Sequence, residues 1–421
     1  MYYKYKILSE DDKFPFADSI ISFFKKYKVN KTVGSYFFYP STGTEYPLEE
    51  KTTTSVLELK KIKYNTDIVF WSFADSLIDQ KGFYDFHNYY SDKKISNTFL
   101  LMLEICKKYP KIKFIFFPSF YDLTSWKKKE IPNFFICKNV INIDFDKKNK
   151  ERYERCNKKT FQKEKGWVCL SNYARPHRIA LYSFLIKNNL QEKGMISNNK
   201  EKMKFTISNL SNDYFNNEAK KITKKHFPYV YKHFIEGLEK IKKEKDFIWI
   251  DNYLELEKKE AQLENNINLL NYKKNLFKIY KNTAIEIIPS TLFFETTPLL
   301  GEKEIQSIYG MNIPIYISAY KTVSFIRNEW GIDVFDDIVD HSYDEIKDPG
   351  ERLVTALESN KKLLLMTARE HKLLWEKVKY RLERNCDILD YILYNPDYRR
   401  ENDFKEIKKA LNYFKIDFEK R

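Results

Sequence analysis

Two arginines occupy the turn between an apolar strand and the helix that follows it. The strand is predicted over residues 166–170, and the next residues carry Arg175 and Arg178, in a chain with 12 arginines among its 74 basic residues. Guanidinium groups beside the N–H groups of a helix start suit a diphosphate. The alternative is structural, because such arginines also cap carbonyl groups or extend into solvent.

A second strand, loop and helix follow Ala284. Glu302 and Lys303 fall in the first turn of the predicted helix, between Gly301 at its start and Gly310 just past its end. At the carboxyl end of a parallel strand, a carboxylate can accept both hydroxyls of a ribose while the ammonium group and the helix N-terminus face phosphate. The alternative is an exposed acid and base at an ordinary helix start.

Together these two segments resemble the sugar-nucleotide motif of the α1,3-fucosyltransferase family. Glu302-Lys303-Glu304, a helix and Gly310-Met-Asn-Ile-Pro before an apolar strand are similar to that family's Thr-Glu-Lys, helix and Gly-x-x-x-Pro. The segment from Arg178 to Leu185 is similar to its Arg-x-x-Phe-Tyr-x-x-Leu, with Leu181 in place of the phenylalanine. Residues 325–352 also look like part of the glycosyltransferase-like proteins encoded by phages and other viruses. The resemblance covers about residues 166–355.

The resemblance implies a GT-B glycosyltransferase, a hexosyl- or pentosyltransferase with two Rossmann-like domains facing each other across a cleft. By position, Arg178 and Lys303 would bind the diphosphate of a UDP- or GDP-sugar, with Arg175 beside them, and Glu302 would bind its ribose. Ser290 stands where the family has an asparagine that also touches the diphosphate. The family's Phe-Glu-Asn-Ser is replaced here by Ile-Ile-Pro-Ser-Thr, and its threonine before Glu-Lys by Gly301. These departures leave the role of Ser290 and the donor open, and no tightly bound cofactor is expected.

In such folds the first domain supplies the base that removes a proton from the acceptor hydroxyl. The candidates near a predicted strand end are Asp75 and the pair Asp85 and His87. A helix cap after the strand is the alternative role of Asp75. The cations and helix dipoles of the donor site would stabilise the leaving nucleoside diphosphate, so no metal site is expected.

Familiar motifs of other enzyme classes are missing from the sequence. It contains no Walker A motif or GxGxxG, no HxxxH or HxH spacing among its six histidines, and no GxSxG. Ordinary nucleotide hydrolases, zinc enzymes and α/β-hydrolases are therefore poor interpretations.

The formal net charge of +15 indicates a polyanionic partner, although the excess of lysine over arginine is also typical of an A+T-rich genome. Lysine runs at 127–129, 147–148, 220–221 and 224–225, with aromatic neighbours Trp126 and Tyr153, favour a hydroxymethylated pyrimidine in phage-type DNA as acceptor. The rival hypotheses are a surface-glycan or lipopolysaccharide transferase at an anionic membrane surface, and a nonenzymatic nucleic-acid-binding protein on a GT-B scaffold. The sequence indicates no particular oligomeric state.

Five cysteines without CxxC spacing favour a reducing compartment. No run reaches 18 apolar residues and the first residues lack an apolar signal core. We therefore expect a cytoplasmic protein, in a bacterium or a phage-infected host.

Short β-rich apolar runs alternate with longer amphipathic stretches, which predicts an α/β fold. Strands are expected at 67–73, 112–117, 134–137, 140–143, 166–170, 205–208, 246–250, 284–288 and 313–317, with a crossover helix at 99–108. The predicted organisation is an acceptor domain over residues 1–145, a charged linker or solvated helix over 146–165, a nucleotide-sugar domain over 166–350 and a helical tail over 351–421.

Overall fold

The computed structural model places the secondary structure of both halves of the chain. It describes residues 17–29, 31, 33–38, 67–73, 106–117, 131–137, 155–161, 165–171, 176–198, 224, 228, 231–233, 235–236, 279–290, 293 and 302–421. In chain order the elements are α1 (Ala17–Lys26), β1 (Tyr27–Val29), β2 (Val33–Phe38), β3 (Ile68–Phe73), β4 (Lys113–Phe117), β5 (Phe134–Ile136), β6 (Trp167–Ser171), α2 (Pro176–Lys187), β7 (Gly194–Asn198), β8 (Ile285–Pro289), α3 (Glu302–Tyr309), β9 (Ile313–Ile317), α4 (Thr322–Trp330), a 3-10 helix (Ser342–Glu345), α5 (Pro349–Ser359), α6 (Lys361–Leu365), α7 (Ala368–Tyr394), α8 (Pro396–Tyr413) and β10 (Phe418–Lys420).

The chain forms two compact units. The first comprises Met1–Asp144 and Asn395–Arg421, and the second comprises Phe145–Tyr394. The predicted tail, 351–421, is therefore divided: its helices up to α7 belong to the second unit, whereas α8 and β10 belong to the first.

A parallel sheet in the order β2-β3-β4-β5 forms the centre of the first unit. The strands predicted at 67–73, 112–117 and 134–137 are confirmed as β3, β4 and β5. Their sequences are continuous apolar runs, as expected for strands of a parallel sheet covered on both faces. Residues 140–143, predicted as a strand, and 99–105 of the predicted crossover helix lie outside the described residues.

The end of the chain completes the first unit. Helices α1 and α8 bury Phe23, Phe24 and Phe404 in one apolar core with residues of the sheet, and the rings of Phe23 and Phe404 meet edge to face at 5.2 Å. The short strands β1 and β10 pair antiparallel beside them. The sequence did not predict that residues 395–421 belong to the first unit. Helical periodicity indicates which face of α8 is apolar, but it does not indicate which distant strand that face packs against.

A second parallel sheet, in the order β7-β6-β8-β9, forms the centre of the second unit. It confirms the strands predicted at 166–170, 284–288 and 313–317, whereas those predicted at 205–208 and 246–250 lie outside the described residues. Strand β7 was not predicted. It begins at Gly194, where a Cβ would lie 2.2 Å from the Trp167 ring, so any side chain there requires the ring to shift.

The helices predicted after Pro349 are confirmed as α5 to α8. Asp348 caps α5 by accepting a hydrogen bond from the backbone N–H of Glu351. The 27-residue helix α7 buries one stripe of side chains, including Trp375, Val378 and Leu382, against the second unit. Among the described residues, no helix combines the length and apolar character that crossing a bilayer requires.

The charged stretch 146–165, expected to be a linker or a solvated helix, is described over residues 155–161 and at residue 165. Residues 155–161 are not helical, and Cys156 is buried. Lys159 Nζ donates three hydrogen bonds, to the carbonyl oxygens of Tyr280 and Gly310 at 2.6 and 2.7 Å and to Asn312 Oδ1 at 2.7 Å. Charge in this segment thus meets specific acceptors of the second unit, because a buried ammonium is tolerated when all its donors are satisfied.

The described residues therefore form a mixed α/β structure with two parallel sheets and covering helices, which is compatible with a Rossmann-like class.

Candidate functional site

The strand order of the second sheet creates a switch point between β6 and β8. From β6 the chain goes to β7 on one side, and later enters β8 on the other side of β6. In open parallel sheets, the connections that leave such a pair in opposite directions open a crevice at the carboxyl ends of the strands, where ligands bind. Helices α2 and α3 begin after β6 and β8, so their first turns belong to this edge.

Arg178 reaches from the first turn of α2 to the end of β8. Its side chain is 2% exposed, and Nη2 donates to the carbonyl oxygens of Pro289 at 3.1 Å and of Ser290 at 3.5 Å. Arg178 thus caps carbonyl groups, which is the structural role that the sequence left open for an arginine at this turn. It also fixes a positive charge at the switch point.

Lys303 makes the reciprocal connection. It lies in the first turn of α3, and Nζ donates to the carbonyl oxygen of Leu170 near the end of β6 at 2.9 Å. The helix after β8 thus sends a cation to β6, while the helix after β6 sends a cation to β8. Lys303 is half-buried as a residue, whereas Arg178 is buried, so Lys303 is the more exposed of the two.

The two cations affect each other electrostatically. Burial, and next the positive charge of Arg178, lower the pKa of Lys303 to about 7, although Glu304 and Glu286 act in the opposite direction. Burial also raises the pKa of Glu286 to about 7. An anion bound here would offset the repulsion between Lys303 and Arg178 and favour the charged ammonium.

Ser290 and Glu304 form a polar network at the same edge. The hydroxyl of Ser290 donates to Glu304 Oε1, and the hydroxyl of Ser318 reaches the same oxygen at 3.4 Å. All three side chains are buried. Ser290, predicted as a diphosphate contact, therefore has a carboxylate partner that ties the end of β8 to the first turn of α3.

The sequence prediction missed Glu304, although a signal for it existed. Glu304 lies four residues before the buried Ile308 on α3, so helical spacing puts it on the inward face. An acid on the apolar side of an amphipathic helix needs polar partners, and the two serines supply them.

A stack of three side chains holds Phe293, which follows β8. The His177 and Phe293 rings stack with centroids 4.8 Å apart, and the Arg352 guanidinium lies 5.2 Å from the Phe293 ring centre. His177 Nε2 is 3.0 Å from the carbonyl oxygen of Ser290, and Arg352 Nη2 donates to the carbonyl oxygen of Phe293 at 2.6 Å. The contact of Arg352 with Phe293 joins residues 59 positions apart and was not predicted from the sequence.

Within residues 325–352, side chains of the 3-10 helix Ser342–Glu345 hydrogen-bond to two neighbouring elements. Asp344 accepts hydrogen bonds from the backbone N–H groups of Val323 and Ser324 at 3.0 and 2.8 Å, at the start of α4. The hydroxyl of Tyr343 accepts from the backbone N–H of Tyr316 in β9 at 3.2 Å. These contacts join the 3-10 helix to the start of α4 and to β9 at the edge of the sheet.

An open depression of about 430 Å³ is lined by Arg327 and residues 336–342. Its wall includes Asp336, Asp337 and Asp340. Carboxylates repel a diphosphate, so this depression does not suit the donor. Within the described residues, no group of His, Cys, Asp and Glu side chains is arranged to hold a metal ion.

Four predicted site residues lie outside the described residues: Asp75, Asp85, His87 and Arg175. Glu302 is placed as the first residue of α3, and its side chain lies outside the described part. The structure therefore brings together Arg178, Lys303 and Ser290 from the predicted set. No protein-family model matches the chain, and a comparison with curated proteins gives no significant match.

Proposed function

We propose that the protein is a glycosyltransferase that binds a UDP- or GDP-sugar at the carboxyl edge of the second sheet and transfers the sugar to a hydroxyl group. In this proposal the two units are the two halves of a GT-B enzyme. The second unit holds the donor and the first holds the acceptor.

The observation that carries the proposal is the reciprocal placement of Lys303 and Arg178 at the switch point between β6 and β8. Two helix starts and two cations converge there, and a diphosphate is the common ligand that carries enough negative charge to offset both. Arg178 is buried and contributes its positive charge without contacting the ligand, while its hydrogen bonds hold the end of β8. Lys303, half-buried, is the group that contacts a phosphate oxygen.

The proposed reaction needs one proton transfer and one displacement. A base of the first unit, for which Asp75, Asp85 and His87 are the candidates, removes the proton of the acceptor hydroxyl. The acceptor oxygen bonds to the anomeric carbon, and the bond from that carbon to the diphosphate oxygen breaks. The nucleoside diphosphate leaves with the electron pair, stabilised by Lys303 and Arg178, and Glu302 holds the ribose.

The acceptor we propose is a hydroxymethylated pyrimidine in DNA. The net charge of +15 favours a polyanion, and the lysine runs supply sequence-independent phosphate contacts. The base must leave the duplex to reach a transferase site, and aromatic residues near the lysine runs can stack on it.

Transfer assays separate the acceptors. Purified protein is incubated with radiolabelled UDP- and GDP-sugars and one of three acceptors: DNA containing hydroxymethylcytosine, the same DNA unmodified, or lipid-linked oligosaccharide. We expect label only on the hydroxymethylated DNA. Label on the lipid alone would replace the proposed acceptor by a surface glycan, and DNA binding without transfer from any donor would favour the nonenzymatic hypothesis.

A variant pair tests the donor site independently of the acceptor. Lys303→Met removes the charge and keeps much of the side-chain length, whereas Lys281→Met changes an exposed lysine in the turn before β8, at the opposite edge of the same sheet. Isothermal titration with the donor should show loss of about tenfold or more in affinity for Lys303→Met and no change for Lys281→Met. Equal affinity in both variants would remove Lys303 from the site.

A further inference from the structure

Helix α7 carries a second heptad seam on its solvent side. Besides the buried stripe, α7 has six exposed residues that are separated alternately by four and three positions. This spacing places all six on one face of the helix. We call this set the outer seam: Leu373, Lys377, Tyr380, Arg384, Asp387 and Tyr391. Its three large apolar members are 57%, 69% and 54% exposed at Leu373, Tyr380 and Tyr391.

The outer seam is complementary to itself when two copies of the helix lie antiparallel. With the two-fold axis at residue 382, Leu373 lies opposite Tyr391 of a second copy, so the apolar ends of the seam cover each other. Lys377 then lies opposite Asp387 of that copy. Tyr380 lies opposite Arg384, a ring and a guanidinium group that attract each other.

We propose that two copies of this chain dimerise through the outer seam of α7, with the helices antiparallel. Each contact then occurs twice, as an isologous interface requires. Antiparallel alignment of a heptad seam places each a position opposite a d position, and the three pairs obey that rule. A shift by one heptad in either direction breaks the Lys377–Asp387 pair and leaves Leu373 or Tyr391 uncovered, so the full set of contacts occurs in one register.

The charges around the outer seam favour a second copy over nucleic acid. Lys372 and Lys379 form ion pairs with Glu376 and Glu383 along the helix, at 3.9 and 3.6 Å. Acidic and basic side chains therefore alternate on this surface, and the seam includes Asp387. A phosphate backbone would meet these carboxylates, whereas a copy of the same helix places Asp387 opposite Lys377 and a tyrosine ring opposite Arg384.

The interface predicted from one helix is small. The outer seam runs from Leu373 to Tyr391, about 27 Å of helix, and a stable interface buries on the order of 800 Å² on each partner. We therefore expect a reversible dimer with a dissociation constant in the micromolar range.

Sedimentation velocity of the full chain, from about 1 to 200 µM, measures the dimer directly. The wild-type chain should shift from monomer to dimer across this range. Lys377→Asp turns two attractive pairs into two repulsive ones and should weaken the dimer at least about tenfold. Lys405→Asp, the same charge change at an exposed residue of α8, should leave it within about twofold. A wild-type chain that stays monomeric throughout overturns the proposal.

A charge swap tests the register and guards against misfolding. Lys377→Asp and Asp387→Lys should each weaken self-association, and an equimolar mixture of the two variants should form a heterodimer, because every pair is then attractive. Asp387 also pairs with Arg155 at 2.7 Å, and although Arg155 retains Asp390 at 2.6 Å, a lysine at 387 lies beside this guanidinium group, so we expect the second variant to fold with lower stability. Thermal melting of each variant checks this. Folded variants whose mixture stays monomeric contradict the proposed pairing.

Discussion

Donor affinity should depend on pH through Lys303. The pKa of this ammonium is lowered to about 7 in the free protein, and a diphosphate binds its charged form. The donor itself does not change charge near neutrality, because both phosphates of a nucleoside-diphosphate sugar are fully ionised there. Each donor molecule that binds above neutral pH must therefore be accompanied by uptake of a proton.

The magnitude follows from linkage. Neutral Lys303 does not bind the donor, so the apparent dissociation constant is multiplied by a factor equal to one plus the ratio of neutral to charged Lys303. For a pKa of about 7 this factor is near one at pH 6 and about thirty at pH 8.5. Titration calorimetry over this range should show affinity falling about thirtyfold as pH rises. Repeating the titrations in buffers of different ionisation enthalpy should show the proton uptake directly.

Two variants assign the effect. Lys303→Met should bind weakly and without this slope, and Lys303→Arg should keep its charge and bind with little pH dependence. Glu286 also has its pKa raised to about 7, and its loss of a proton would change binding in the same pH window. Glu286→Gln separates the two groups: if Lys303 causes the pH dependence, this variant should retain most of the fall in donor affinity between pH 6 and 8.5. An unchanged slope in Lys303→Met, or a flat profile in the wild type, would refute the assignment to Lys303.

Other expected outcomes concern the elements that hold the site. Lys159→Met leaves three acceptors without their donor and should lower the free energy of unfolding of the second unit by about 3 kcal/mol in urea titrations, whereas exposed Lys158→Met should have little effect. Gly194→Ala places a methyl group 2.2 Å from the Trp167 ring and should cost about 2 kcal/mol, measured by thermal unfolding; an unchanged midpoint would show that the ring moves freely. Asp344→Ala removes the acceptor for the start of α4 and should destabilise the second unit by about 1 to 2 kcal/mol, with faster amide exchange at Val323 and Ser324 as its specific sign.

The sequence predicted the strands of both sheets where continuous apolar runs occur, as at 113–117 and 285–289. It did not predict β2 and β7, which contain Gly34, Ser35 and Gly194 and lack a long apolar run. Their places depend on neighbours distant in sequence, such as Trp167 across from Gly194. Local pattern carries no information on such partners.

The candidate site was predicted in part. Spacing after a strand end put Arg178 and Lys303 at helix starts, and the structure places them at one edge. That each cation would bond to the strand preceding the other helix depends on strand order, which sequence does not reveal. For the same reason Glu304 and Arg352, whose partners come from Ser290, Ser318 and Phe293, were not recognised as supports of the site.

The central claim is that a nucleoside-diphosphate sugar binds at the carboxyl ends of β6 and β8. A crystal structure of the full chain with a UDP- or GDP-sugar tests it most directly. We predict diphosphate oxygens about 3 Å from Lys303 Nζ, with the Arg178 guanidinium still bonded to the end of β8. A donor bound elsewhere on the protein, with Lys303 unchanged, would contradict the account.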